Sequence, residues 1–302
     1  MRRLLPLLIV CALVVGLWDN GAVAADRRDL AAYRGLGTWV DVYEYVPALQ
    51  KPHRKPPVTP SDVDEMKDHG VKTLYLQSAQ DDSRTPGVTV TPKLLGQFLQ
   101  RAHDAGLRVV AWYLPHFDDL DADLRHIRGL LDFRSGGERF DGVALDIEFR
   151  GDVSDPAARS DALVDLSRRV RQLARDRPIG AIVLEPVLLE VVNVNFWPDF
   201  PWREIAGLYD VWLPMSYWTN RTTGSVYRDS FRYTDENIRR LRANLGQDDA
   251  PVHAIGGLGN AAQIQDYAGF VRAARAQRAM GWSIYNFGVT PRKAWPRVGG
   301  KN

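Results

Sequence analysis

Two acids set two residues apart close a short apolar run, Asp141-Gly142-Val143-Ala144-Leu145-Asp146-Ile147-Glu148. Side chains alternate along a strand, so Ala144, Asp146 and Glu148 share one face while Val143, Leu145 and Ile147 share the other. If the apolar set meets a layer of helices, both carboxylates point into an enclosed mouth. Burial disfavours each charge and the two repel, so one pKa should rise toward the range of a proton donor. A plainer role is open to the same residues, pairing at the strand end with a loop arginine such as Arg150 or Arg221. Catalysis is the preferred reading, because an inward acidic pair is costly without a role.

Other acids could complete such a pair. Glu185 closes the run Val183-Leu184-Glu185-Pro186, while Asp41 and Glu44 follow the first strand-like run. A carboxyl separation of about 5–5.5 Å would suit retention and about 6.5–9.5 Å inversion. His116, after Leu114-Pro115, is a candidate substrate contact. The six histidines show no H-x-x-x-H or H-x-H spacing, so neither a metal site nor a cofactor is expected. No G-x-S-x-G elbow supports a serine esterase. Gly256-Gly257-Leu258-Gly259 lacks the Lys-Ser/Thr ending of a phosphate loop.

Aromatic residues collect near strand ends: Trp39, Tyr43, Tyr45, Trp112, Tyr113, Phe196, Trp197, Tyr217, Trp218 and Tyr285 among them. Their faces bury the C–H face of a pyranose while leaving its hydroxyls free to hydrogen-bond. Trp39, Trp197 and Trp218 are expected in the cleft. Trp112, Trp212 and Trp282, mid-strand, are expected in the core.

These groups need a scaffold, and the sequence repeats one. Strand-like runs occur at Leu36–Val42, Val71–Gln77, Leu107–Leu114, Gly142–Phe149, Gly180–Glu185, Val211–Tyr217, Val252–Gly256 and Gly281–Phe287. Their starts lie about 35 residues apart on average, the size of a strand-plus-helix unit. Helical patterns fill the gaps, opened by Pro60-Ser61-Asp62, Thr91-Pro92 and Asp155-Pro156, with Gly70 and Gly106 at cap positions. The expected fold is α/β, a single (β/α)8 TIM barrel, whose active site lies at the strand C-termini. An open doubly wound sheet is the rival, but Thr38-Trp39-Val40-Asp41 is no glycine-rich phosphate loop. The basic, proline-rich loop Lys51–Pro57 reads as solvated, and the tail after Pro291 as a surface extension.

Ahead of the barrel, Arg2 and Arg3 precede an apolar run from Leu4 to Trp18 and a small-residue stretch, Gly21–Ala25. This is the pattern of a secretory signal peptide over residues 1–24, cleaved after Ala24, with residues 25–302 as the barrel domain. An uncleaved anchor is the rival reading. The one cysteine, Cys11, falls within that run, so the mature chain would hold no disulfide and no thiolate site. Of 302 residues 45% are hydrophobic and 25% charged, which suits a globular protein. A net charge of +2 gives no general pull toward nucleic acid or an anionic membrane surface, so no nucleic-acid partner is expected, nor stable membrane insertion after cleavage. A monomer, secreted or associated with the cell envelope, is expected.

The run Asp141-Gly142-x-Ala144-x-Asp146-x-Glu148 resembles the D-G-x-D-x-D-x-E signature of glycoside hydrolase family 18, the chitinase-like barrels. Leu145-Asp146-Ile147-Glu148 is also similar to the L-D-x-E of the family 25 lysozyme barrels, and Met215-Ser216-Tyr217 resembles the M-x-Y of the chitinases. By that resemblance Glu148 protonates the glycosidic oxygen of a polysaccharide or cell-wall glycan. Asp146 and Tyr217 hold the substrate's acetamido group. Two positions depart from the chitinase pattern, Ala144 and Trp218, each standing where that family has an acid. They motivate a second expectation, a non-catalytic carbohydrate-binding barrel.

Overall fold

The computed structural model describes residues 28–299. The apolar run, Cys11, the expected cleavage site and the start of the barrel domain at residue 25 lie outside the described residues. Eight parallel strands form one sheet: β1 (Gly35–Val40), β2 (Thr73–Gln77), β3 (Arg108–Tyr113), β4 (Gly142–Ile147), β5 (Ile179–Val183), β6 (Val211–Pro214), β7 (His253–Leu258) and β8 (Gly281–Tyr285). Neighbours in sequence are neighbours in space, with β1 pairing β8. Two bridges, Trp212 to Val252 and Met215 to Ile255, join β6 to β7 and close the cylinder. The (β/α)8 barrel is therefore the fold, and each of the eight runs read in the sequence supplies one strand.

Around it lie α1 (Val42–Tyr45), α2 (Val63–Asp68), α3 (Pro92–Asp104), α4 (Leu120–Asp132), α5 (Pro156–Ala174), α6 (Trp202–Ile205), α7 (Ser230–Leu245) and α8 (Ile264–Ala276), with α9 (Trp295–Val298) at the end. Their starts follow local chemistry. Asp155 caps α5 by accepting from the Ala158 amide at 3.1 Å, and Pro156 occupies the first turn, where an amide hydrogen would be unused. Gly106 ends α3 in the left-handed region, at φ +78°, so that Leu107 can bond back to Ala102 before β3 begins.

The barrel interior is filled from below. Tyr33 reaches under the strands, its hydroxyl donating to the Val143 carbonyl at 2.9 Å. His253 donates from Nδ1 to the Tyr33 carbonyl (2.9 Å) and meets Ser283 Oγ through Nε2 (3.0 Å). Ser283 Oγ accepts from Trp39 Nε1 at 2.7 Å, and Trp39 stacks on Tyr75 at 4.3 Å between centroids. Burial pulls the His253 pKa down to about 4, so the ring is neutral and this chain of donors runs in one sense. Gly281 is required here by close approach. A Cβ there would lie 2.4 Å from His253 Nδ1 and 2.6 Å from the Tyr33 carbonyl oxygen. Above Trp39, at the strand C-termini, the barrel opens into a cavity.

The C-terminal tail corrects the sequence reading. It is not a surface extension: Trp295 and Val298 are buried, and Trp295 stacks on His69 at 5.1 Å with an interplanar angle of 8°. Trp282, on the outer face of β8, donates from Nε1 to the Val298 carbonyl at 2.8 Å. A large ring in register with its neighbours gives the tail a docking face that the surrounding Arg and Pro residues hide in a sequence. Replacing Trp295 with Ala should therefore destabilise the fold by about 3 kcal/mol. Chemical denaturation measures this, and an unchanged midpoint would return the tail to solvent.

Candidate active site

The inward positions at the strand ends define a mouth of about 260 Å3, lined by Trp39, Asp41, Gln77, Trp112, Asp146, Glu148, Tyr217 and Tyr285, with Ile182, Met215 and Ile255 as its apolar wall. Asp146 and Glu148 enter it from the end of β4, on the face that strand alternation assigns to them. Ala144, one step lower on that face, is buried in an apolar layer. A Cβ built on Gly180 would touch Ala144, Tyr33 and Leu213. No acid therefore supports Asp146 from below.

Neither acid is clamped. Among the described residues no cation lies within 4.0 Å of either carboxylate, and Asp146 Oδ1 is buried without a protein hydrogen-bond partner. The arginines that could have paired with them are engaged elsewhere: Arg150 lies 3.9 Å over the Phe196 ring, and Arg221 lies 5.6 Å from the Tyr233 ring. Burial pushes the Asp146 carboxyl well above its usual range, and the Glu148 charge adds to the shift. Glu148 is also raised, by burial. Both carboxyls thus keep their protons to a higher pH than isolated ones do.

Asp41 faces the mouth from the other side. Its Oδ1 caps α1 by accepting from the Tyr43 amide (2.8 Å), and its Oδ2 accepts from Tyr285 Oη (2.8 Å) and Asn286 Nδ2 (3.0 Å). Glu44 closes the capping box behind it, accepting from the amides of Asp41 (3.1 Å) and Gly288 (2.9 Å). Burial, with the Asp41 charge beside it, raises the Glu44 pKa to about 8. Glu44 is therefore a strut whose two oxygens are engaged, and Asp41 is the acid it positions.

Of the residues singled out in the sequence, Asp146, Glu148, Asp41, Tyr217 and Trp39 come together in the mouth. Glu185 does not line it. β5 ends at Val183, and the Glu185 carboxylate turns toward α7, accepting from Tyr233 Oη at 3.0 Å. Its pKa rises to about 7 by burial, partly opposed by its own backbone amide, by Arg221 and by Tyr233. Trp218 is fully buried outside the mouth, packed on Phe270, with Nε1 3.3 Å from Asp266. Trp197 is 1% exposed, wedged edge-on between Phe117 and Phe200 and bonded through Nε1 to Ser160 Oγ at 2.9 Å. Neither tryptophan offers a face to a sugar. His116 stacks on Phe149 at 4.2 Å, just outside the mouth.

His116, Asp118 and Asp152 place ligand atoms within 4.8 Å of one another, a grouping the histidine spacing gave no hint of. Both aspartates are exposed there, and His116 Nδ1 meets Asp152 Oδ2 at 3.1 Å.

Two mouth residues escaped the sequence reading, Trp112, assigned to the core, and Gln77, given no role; Tyr285, one of the strand-end aromatics, does line the mouth. Trp112 turns inward, and its Nε1 is a second buried polar atom without a protein partner. Tyr43 stands at the rim, 59% exposed. A cavity with apolar walls, aromatic faces and unspent hydrogen-bonding atoms matches what one sugar ring presents.

The sequence matches no protein-family model and no curated protein. Solved structures match it in fold. The endo-1,4-beta-D-mannanase of Thermotoga petrophila RKU-1 superposes with a TM-score of 0.62 at 11% identity, covering 84% of this chain and 88% of its own. The C-terminal domain of a putative chitinase from Desulfitobacterium hafniense DCB-2 gives 0.62 at 11%, covering 89% and 99%. The spore cortex-lytic enzyme SleL of Bacillus megaterium QM B1551 gives 0.61 at 9%, covering 88% and 73%. At such identities the likeness is one of fold, and these neighbours are glycoside hydrolase barrels.

The unpaired acid carries a stability consequence with a defined sign. A carboxyl whose folded-state pKa is raised stabilises fully below its unfolded pKa and loses that contribution as pH rises through the folded value. Asp146→Asn should therefore be more stable than the parent at pH 7, by about 1 kcal/mol, as is usual when a functional site is relieved. The gain should vanish below about pH 4, where the unfolded carboxyl is itself protonated. Thermal melts at the two pH values test this, and a destabilised variant at pH 7 would mean that Asp146 has a partner.

Proposed function

We propose that this protein is an exported, monomeric glycoside hydrolase that cleaves O-glycosidic bonds of a polysaccharide or cell-wall glycan. The observation that carries the reading is the unclamped Asp146–Glu148 pair, raised in pKa, in a mouth with apolar walls and room for a single ring. Glu148, half-buried, delivers its proton to the glycosidic oxygen, and the bond from that oxygen to the anomeric carbon breaks with its electron pair on the leaving hydroxyl. Both acids start protonated, and as Glu148 gives up its proton the one on Asp146 is shared between them, so the pair carries one negative charge rather than two. That charge lies beside the positive charge developing on the ring. Water adds at the anomeric carbon, and its proton returns to the pair.

Tyr217 is placed for substrate contact. Its hydroxyl has no hydrogen-bond partner among the described residues, and burial, then the Tyr285 hydroxyl and the Glu148 and Asp146 charges, raise its pKa well above normal. It stays a donor at every working pH. Trp39, Trp112 and Tyr285 offer ring faces and edges, and Asp41 accepts from hydroxyls. The chitinase-like resemblance on β4 and β6 favours an N-acetylated sugar in the mouth. No helix among the described residues is long and apolar enough to cross a membrane, and the N-terminal pattern favours export.

Reducing-end release from chitin oligomers, mannan and peptidoglycan, measured from pH 4 to 9, tests the assignment. The rate should fall on the alkaline side, above the ordinary carboxylate range, because the donor loses its proton there. Glu148→Gln should lower it about a thousandfold while glycan binding survives, as expected when a general acid is removed. Undiminished hydrolysis in that variant would refute the role. Binding by the wild type with no reducing ends from any glycan would favour the carbohydrate-binding reading that Ala144 and Trp218 motivate.

A further inference from the structure

Beside the mouth lies a second hollow of about 500 Å3, lined by Glu148, Arg150, Ser154, Arg159, Asn195 and Phe196. Glu148 borders both, so a glycan whose scissile bond meets Glu148 keeps one ring in the mouth and sends the next into this groove. The groove's charge is unusual. Arg150 and Arg159 both line it, and neither has a carboxylate within 4.0 Å among the described residues. Both guanidinium groups bond instead to one carbonyl, that of Phe196, at 3.4 and 3.5 Å.

Arg159 is 1% exposed, yet its Nε has no hydrogen-bond partner. Its remaining contacts are the Val153 carbonyl at 3.2 Å and the Trp197 ring at 4.1 Å. Burial and then the Arg150 charge lower its pKa, with Asp155 opposing. Of the nearby acids, Asp155 caps α5, Asp152 turns to His116, and Glu148, whose pKa burial raises, lies more than 4.0 Å from both guanidinium groups. Two cations held together at one carbonyl, one of them buried, are destabilising unless an anion joins them. Guanidinium groups bind carboxylate and phosphate oxygens in forked pairs, and the ring faces beneath hold these two in place.

We propose that this groove binds an anionic substituent, carboxylate or phosphate, on the leaving-group side of the scissile bond, making the substrate an acidic glycan. The assignment of sides rests on the hydrolase reading; the anion site itself does not. A net charge of only +2 on the whole chain removes general attraction for polyanions as the cause.

Calorimetric titration separates the possibilities. The probes are an oligosaccharide of alternating glucuronate and N-acetylglucosamine, its carboxyl methyl ester, and poly(glycerol phosphate). They are titrated into the wild type, or into Glu148→Gln where a probe is cleaved. At least one charged probe should bind tenfold or more tightly than the neutral ester, and the preference should shrink in high salt. Arg150→Gln, at an exposed position, should cost about tenfold for that probe and leave the ester unaffected, with the remote Arg272→Gln as control. Arg159→Gln should do the same if it folds. Binding of the phosphate polymer alone would assign the anion as phosphate, and of the uronate alone as carboxylate. Equal affinities, no binding of either charged probe, or a preference intact in Arg150→Gln overturns the proposal. Preference for the charged probe in a protein that releases no reducing ends overturns the hydrolase reading and keeps the anion groove. Hydrolysis with equal affinities does the reverse.

Discussion

Asp146 and Glu148 enter one mouth with no cation within 4.0 Å of either among the described residues, and most of the architecture around them serves to keep that arrangement. Strand alternation aims Asp146 and Glu148 inward, and Tyr33, His253, Tyr75 and Trp39 fill the barrel beneath them. The arginines nearest in sequence are turned onto aromatic rings and backbone carbonyls. Had either reached Asp146, its charge would have drawn the acid's pKa down and released the proton the pair retains. The cost of holding an uncompensated acid is borne by a barrel whose eight strands and surrounding helices bury a core far larger than the site.

Burial and a raised pKa do not by themselves mark a functional acid, and this molecule contains the control. Glu44 and Glu185 are both buried, with pKa values raised to about 8 and 7. Each, however, has its donors: the Asp41 and Gly288 amides for Glu44, and Tyr233 for Glu185. Both Glu44 oxygens are engaged, and Glu185 Oε1 is held by α7 through Tyr233. Asp146 differs because one oxygen has no partner and the surface it faces is a cavity. Trp112 Nε1 satisfies the same two conditions on the same wall. Unspent hydrogen bonding beside open space is the criterion that separates site from scaffold here.

The fold was legible because a parallel barrel repeats its unit, and strand, helix and cap signals recur at that interval. The acidic pair was legible because polar residues on one strand face fix which face is inward. That signal fails for Trp112, since both faces of β3 are apolar in a sheet covered on both sides. For Trp218 the signal existed: Met215 and Tyr217 point into the mouth, so the residue after Tyr217 belongs to the opposite face. Trp197 lies in a loop without periodicity, where only tertiary contact with Phe117, Phe200 and Ser160 decides its direction. Glu185 was misjudged by extending β5 two residues past its end at Val183.

The two departures from the chitinase pattern then have different weights. Position 218 faces away from the mouth, so a tryptophan there takes nothing from it. Position 144 faces inward, and its alanine seals the layer beneath Asp146 with Tyr33 and Leu213. A third acid at that depth would offer Asp146 a second partner with which to share its proton. Without one, Asp146 can exchange protons only upward, with Glu148, and the two titrate as a single pair. The alanine thus leaves Glu148 as the one acid sharing a strand face with Asp146, and it is the Glu148 charge, after burial, that raises the Asp146 carboxyl.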